Sequence, residues 1–266
     1  MYFESHAHYD DNSFDDDRDA LLSAVLPEAG VSFVNNVGAG IESSRMSVRI
    51  AEKYDHMCAS VGVHPHYVSA MNGGSLTELK ELSKSKKVVA VGEIGLDFYY
   101  NYSPRDEQLF WFKEQLRLAD TLALPVIIHS RDADDDVFKT LCEWGGKNAV
   151  VHSFCSGAEM AVKYVEMGYY IGFSGMVAFK KANEVVEAVK VTPLERILIE
   201  TDCPYLSPPP NRGKRNDSRN LKYIVERIAE IKGIGAVDVE NVTYENAVSF
   251  FSIKKLLTNC YENVTV

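Results

Sequence analysis

The stretch PVIIHSRDADDDVFKTLCEW, residues 125–144, decides the reading of the fold. Its first part, PVIIHS at 125–130, is a short apolar run rich in β-branched residues. That suits a parallel strand buried on both faces. Its second part, 132–144, opens on acidic residues and predicts a helix, because negative charge at a helix start opposes the helix dipole favourably. A strand followed by a helix is the first half of a parallel crossover unit. At the junction stands His129, a metal-capable side chain at the strand end.

The same unit recurs along the chain. The other apolar runs are MYFES at 1–5, VSFVNNV at 31–37, HMCASVGV at 56–63, KVVAVGEI at 87–94, NAVVHSF at 148–154, YYIGFSG at 169–175 and ERILIET at 195–201, making eight in all. Helices are predicted over 15–29, 41–54, 157–168 and 217–232, with shorter ones over 75–84 and 180–190. The clearest is SPRDEQLFWFKEQLRLADTLAL from 103, with Ser103 as N-cap and Pro104 at the first helical position. Leu109, Phe112, Leu116 and Ala119 form its apolar stripe. Eight alternations in 266 residues predict an α/β fold, a (β/α)8 TIM barrel forming a single domain over 1–266. A doubly wound open sheet is the alternative. DVENVTYENAVSFFSI, 238–253, reads as an extra C-terminal helix closing one end.

Composition narrows the function classes. The chain is 46% hydrophobic and 25% charged, an ordinary globular mix. It has no apolar run of about 18 residues, so no membrane-spanning helix is expected. Its net charge of −10 argues against a protein that coats duplex by broad phosphate contact. It leaves room for an enzyme whose metals neutralise substrate phosphate locally. The stretch FESHAHYDDNSFDDD at 3–17 has no signal-peptide character. The five cysteines, at 58, 142, 155, 203 and 260, are odd in number and lack C-x-x-C spacing. Free thiols in a reducing, cytoplasmic setting are therefore expected.

In a parallel barrel the active site is built at the C-terminal ends of the strands. His6 and His8 end the first run and face the same way if extended, because strand side chains alternate with period two. His64 and His66 follow the third, Glu93 ends the fourth, His129 the fifth, His152 the sixth and Asp202 the eighth. Six of the seven histidines thus fall at strand C-termini, and His56 does not. Taken singly, each is equally a hydrogen-bonded buried histidine or a paired carboxylate. Together, His6, His8, Glu93, His129, His152 and Asp202 are more ligands than one catalytic ion needs. Two divalent ions sharing one carboxylate fit better, with Zn, Mn or Fe suited to imidazole and carboxylate and Mg possible. A water activated between two such ions is a nucleophile, which makes a hydrolase the natural reading.

At this point the chain resembles the TatD family of metal-dependent deoxyribonucleases, within the amidohydrolase superfamily. The matching pieces are SHAHYD at 5–10, GVHPH at 62–66, GEIGLD at 92–97, PVIIHSRDA at 125–133, VVHSF at 150–154, IETDCPYLSP at 199–208 and YENAVSFF at 244–251. The resemblance implies a TIM-barrel phosphodiester hydrolase trimming single-stranded DNA ends from the 3′ side. It implies one metal on His6, His8, Glu93 and Asp202, and a second on Glu93, His129 and His152. Asp202 would also orient or deprotonate the attacking water, so Glu93 and Asp202 are the expected catalytic carboxylates. It implies phosphate contacts from His64 and Arg131, and leaves His66 at the rim.

Two segments depart from the family pattern. HSFCSG at 152–157 places Cys155 and Ser156 where a Gly is usual, with Cys155 expected as a small filler. In GKRNDSRN at 213–220, Arg215 and Asn216 are kept and Asp217 and Ser218 replace the usual pair. Arg212, Lys214, Arg215 and Arg219 form the most basic stretch and are expected to line a nucleic-acid strand, a solvated loop being the alternative. Tyr99, Tyr100 and Tyr102 follow strand four; packing at the mouth is expected for at least two, and base stacking is the alternative. An amidohydrolase acting on a small ester, lactone or phosphoester remains the other enzymatic reading, although Glu93 stands where many such barrels carry a bridging Lys. A metal-bearing binding module without turnover is the third.

Overall fold

The structure is a computed structural model and describes residues 1–254; Cys260, one of the expected free thiols, lies outside them. Eight parallel strands run in order β1 to β8: Tyr2–Ala7, Val31–Val37, Met57–Val61, Val88–Asp97, Val126–Arg131, Ala149–Val151, Tyr170–Phe173 and Ile197–Ile199. Each neighbour pair is a parallel ladder from β1·β2 through β7·β8. The seam between β8 and β1 is closed just above the strands. An isolated parallel bridge joins Ala7 to Cys203, where the Asp202 N–H donates to His6 O at 3.0 Å and the His8 N–H to Cys203 O at 2.8 Å. The (β/α)8 barrel is thus present, and the open-sheet alternative falls.

The helices that return each strand are α1 over 18–28, α2 Ile41–Lys53, α3 Gly73–Leu82, α4 Arg105–Leu122, α5 Asp134–Trp144, α6 Ala158–Glu166, α7 Asn183–Val191 and α8 Leu221–Lys232. α7 begins at Asn183 rather than 180 and α8 at Leu221 rather than 217, the latter after a 3-10 turn over Ser218–Asn220. Two others also differ from expectation. α1 is shorter than 15–29 and irregular: Leu21–Val25 has π pitch immediately before Pro27, which has no N–H to continue an α ladder. α4 begins at Arg105 rather than at Pro104. Ser103 does not cap it; the buried Ser103 Oγ donates to His66 O at 3.0 Å and accepts from the Ser69 N–H at 3.2 Å. No helix among the described residues is long and apolar enough to cross a membrane.

The barrel interior is layered. At its N-terminal end Phe3, Val89, Ile127, Val150 and Leu198 pack against α9, Ala236–Phe250, the expected extra helix. Phe251 stacks on Phe3 at 5.7 Å and plugs this end. Above lies a polar layer in which Asn35 donates to Ser5 O at 3.1 Å and accepts from Ser60 Oγ at 3.0 Å. Above that are the histidines. The plug and the polar layer leave one open end, where the strand C-termini meet.

Candidate metal centre at the barrel mouth

Strand geometry brings the predicted residues together. His6 is fully buried at the end of β1 and His8 lies one extended step beyond, so their Nε2 atoms meet 3.2 Å apart. β4 carries Glu93 into the middle. Its Oε1 lies 2.6 Å from His152 Nε2, 2.7 Å from His129 Nδ1 and 3.6 Å from His64 Nε2. Its Oε2 lies 3.7 Å from His6 Nε2 and 3.9 Å from His8 Nε2. Asp202, in a left-handed turn with φ of 56°, places Oδ1 3.4 Å from His8 and 3.8 Å from His6. Close approach of backbones permits this. Gly95, at φ of 149°, lets β4 lie against β5, since a Cβ there would sit 2.0 Å from His129 O.

The far nitrogens decide which way each imidazole presents its lone pair. His8 Nδ1 donates to Val37 O at 2.8 Å, so its neutral form turns the Nε2 lone pair to the centre. His129 Nε2 donates to Asp97 Oδ2 at 3.1 Å, leaving Nδ1 toward Glu93. His152 Nδ1 lies 3.3 Å from Glu200 Oε1, with Nε2 on Glu93. His64 is reversed: its Nδ1 accepts the His66 N–H at 3.1 Å, so its Nε2 carries the proton that faces inward.

Charge follows the same division. Burial resists ionisation of Glu93, Asp97 and Asp202. Yet His152, together with other imidazoles around it, holds Glu93 well below the usual range, and hydrogen bonds from His129 and His66 do the same for Asp97. Asp202 is lowered by His8. Burial likewise resists protonation of His8, but Asp202 raises it to about 9, and His129 and His152 are also raised. Burial keeps His6 and His64 low. Without metal, the centre thus holds protons among three carboxylates.

The donor set suits divalent cations. Four compact histidine–carboxylate groups lie among the described residues: His6/His8/Glu93, His6/His152/Asp202, His64/Glu93/His129 and His64/His66/Asp97. The proton on His64 Nε2 disfavours the last two as ion sites. His6 and His152 turn Nε2 to Glu93, and His8 and Asp202 lie against the same centre. Buried carboxylates and imidazole nitrogens converging on one centre are a donor set that a divalent cation satisfies.

The mouth around the centre is a basin of about 1170 Å3 lined by His8, His64, Glu93, Arg131 and Asp202 among others. Arg131 lies over the Tyr99 and Tyr100 rings, at 4.4 and 4.8 Å, rather than in a salt bridge with the acidic run beside it. Tyr99, Tyr100 and Tyr102 are not packed away as expected: they are 58%, 44% and 68% exposed. Cys155, expected as a filler, is exposed and lines the basin. Arg215 is not among the lining residues. Its guanidinium forks onto Asp17, at 2.8 and 2.5 Å, and lies over Phe14. Arg219 pairs with Asp217 at 2.7 Å and Arg212 lies 3.9 Å over Phe179. The basic loop is largely committed within the chain.

Sequence reasoning missed three carboxylates. Asp97 bridges His129 and His66, the latter at 2.9 Å. Glu200 stands behind His152, in space left by Gly172, where a Cβ would come within 2.6 Å of it. Glu4, fully buried, accepts from the Thr201 N–H and Oγ1 at 2.8 and 2.6 Å and ties β1 to the segment after β8. Each had a signal, a carboxylate inside a strand motif (FESH, GEIGLD, IETD), with the partner far away in sequence.

A parallel barrel with a buried histidine–carboxylate cluster at its C-terminal mouth is the frame of a metal-dependent hydrolase. The family model described as TatD related DNase matches residues 3–252, and the chain belongs to the TatD family. It is 39% identical over 255 residues to the uncharacterised metal-dependent hydrolase YabD of Bacillus subtilis, covering 95% of this chain and 100% of that one. It is 36% identical over 247 residues to the 3′-5′ ssDNA/RNA exonuclease TatD of Cronobacter sakazakii, covering 90% and 94%. Among solved structures, the TatD homologue YjjV of Escherichia coli K12 superposes with a TM-score of 0.89 at 28% identity, over 94% of this chain and 98% of that one.

Proposed function

We propose that this TatD-family metal-dependent hydrolase is a 3′-5′ exonuclease of single-stranded DNA, with His6, His8, Glu93 and Asp202 holding one divalent ion and Glu93, His129 and His152 a second. The single observation that carries the reading is Glu93, within 3.9 Å of five imidazoles from four strand ends, which supports a shared carboxylate. The exonuclease name of a relative at 36% identity supports the substrate. Zn, Mn, Fe or Mg supplies Lewis acidity and makes bound water acidic. The chain's own groups do the rest. Val37 O and Asp97 fix the tautomers of His8 and His129, as Glu200 orients His152. Asp202, ionised beside His8, accepts a proton from the attacking water. His64 stands outside the ligand set, because its inward Nε2 bears hydrogen. It donates to a non-bridging phosphate oxygen, and Arg131 from the rim adds a fixed cation.

The test is digestion of 3′- or 5′-labelled single-stranded DNA by metal-stripped protein titrated with Mg, Mn and Zn. Stepwise loss from the 3′ end, abolished in Glu93→Ala, is the expected result. No cleavage with any ion despite bound metal would overturn it in favour of a small ester, lactone or phosphoester substrate.

A further inference from the structure

The basin is ringed by aromatic faces that the chain leaves uncovered. Tyr67 is 58% exposed, Tyr100 44%, Tyr102 68% and Tyr205 56%. All four line the basin. The first three gather round one side chain. His66 meets Tyr102, Tyr100 and Tyr67 edge-on with centroids at 4.8, 5.4 and 6.2 Å. His66 is held by Asp97, so the aromatic group is anchored to the same carboxylate that orients His129. Tyr205 follows β8, 6.4 Å from His8, with its hydroxyl donating to Asp11 at 3.3 Å.

Large apolar side chains exposed in a group, rather than singly, mark a binding surface. Here the surface adjoins the centre that would hold a phosphodiester. A nucleobase is one sugar away from its phosphate, and the tyrosines line the same basin as Glu93, so a base next to a phosphate held in that basin has these rings as neighbours. Arg131, resting on Tyr99 and Tyr100, places a cation within the aromatic group in a chain of net charge −10. Aromatic faces with interleaved cation, beside a phosphate site, match an unpaired strand, whose bases expose their π-faces. Paired bases bury those faces in the duplex stack.

We propose that Tyr67, Tyr100, Tyr102 and Tyr205 form a stacking site for the unpaired bases at a single-stranded nucleic-acid end. The site rests on the nuclease reading for its purpose and not for its measurement. Stacking contributes about 1–3 kcal/mol per base, and 1.4 kcal/mol is tenfold in affinity, so one lost base weakens binding by roughly tenfold.

The experiment measures binding by fluorescence anisotropy with wild-type protein kept in chelator, so that the strand is held and not cut. The probes are a 5′-labelled single-stranded deoxyoligonucleotide, the same strand with abasic sites at its last two 3′ positions, and a blunt duplex of the same sequence. Wild type is expected to bind the abasic strand and the duplex at least tenfold more weakly than the intact strand. The quadruple variant Tyr67→Ala, Tyr100→Ala, Tyr102→Ala, Tyr205→Ala is expected to bind intact and abasic strands alike, with circular dichroism unchanged because these rings are exposed. Equal binding of intact and abasic strands by wild type, or no binding of either, would overturn the proposal, as would discrimination retained in the quadruple variant. Base-dependent binding without cleavage in the digestion assay would instead remove the nuclease reading and leave the stacking site standing.

Discussion

His64 and His129 are the same side chain given opposite tasks by what each holds on its far nitrogen. A backbone N–H donates to His64 Nδ1, while Asp97 accepts from His129 Nε2. Asp97→Asn removes the charge that fixes the second arrangement. Affinity for Zn or Mn, measured by isothermal titration calorimetry, is expected to fall about 10–100-fold, the range for losing such a partner. The six ligand candidates were legible in sequence because each ends an apolar run, and a run's end locates a residue on the barrel rim. The tautomers were not. They depend on Val37, Asp97 and Glu200, whose partners lie on other strands. Arg215 was read as a substrate contact because its neighbours are basic. Its bidentate partner Asp17 lies 198 positions away in sequence, beyond the reach of local pattern.

At the scale of elements, the eight strands were legible from their β-branched runs and the helices from their stripes. Among the boundaries that shifted, two are set by backbone chemistry, the π turn before Pro27 and the start of α4 after Pro104. α8 starts late because Asp217 caps a 3-10 turn over Ser218–Asn220 first. α9 appears as an addition to the barrel, but its end is part of the core. Phe251→Ala empties the plug beneath Phe3 and is expected to cost about 3–5 kcal/mol, read as a lowered denaturation midpoint. Its effect should be on stability and not on metal affinity, because the Asn35 and Ser60 layer lies between it and the histidines. Gly95→Ala is the converse case, far from the plug and against His129 O. It is expected to weaken metal binding as well as stability.

The whole molecule is an acidic body whose one mouth collects histidines and tyrosines. If the proposed ligands hold metal, it must displace protons from His8, raised to about 9, and from His129 and His152. Affinity is therefore expected to rise with pH up to about 9, by about tenfold per unit for each proton released, as calorimetry in buffers of different ionisation enthalpy would measure. The sign for the metal-free fold is opposite. His8 titrates higher folded than unfolded, so its stabilising contribution is full below the unfolded value near 6.5 and is lost as pH rises through about 9. Salt should matter little. With the basic loop paired internally, one or two phosphate contacts give a slope of log affinity against log salt of about −0.7 to −1.4 on single strands.

The seam between β8 and β1 carries one consequence more. Its two backbone hydrogen bonds, from the Asp202 N–H to His6 O and from the His8 N–H to Cys203 O, belong to residues that are, or adjoin, the proposed ligands of a single ion. A cation seated there would act as a rivet across the join of the first and last staves. Deuterium uptake at the His8 and Asp202 amides is then a gauge of occupancy: slow with the ion in place, and quickened by chelation before any other part of the barrel loosens.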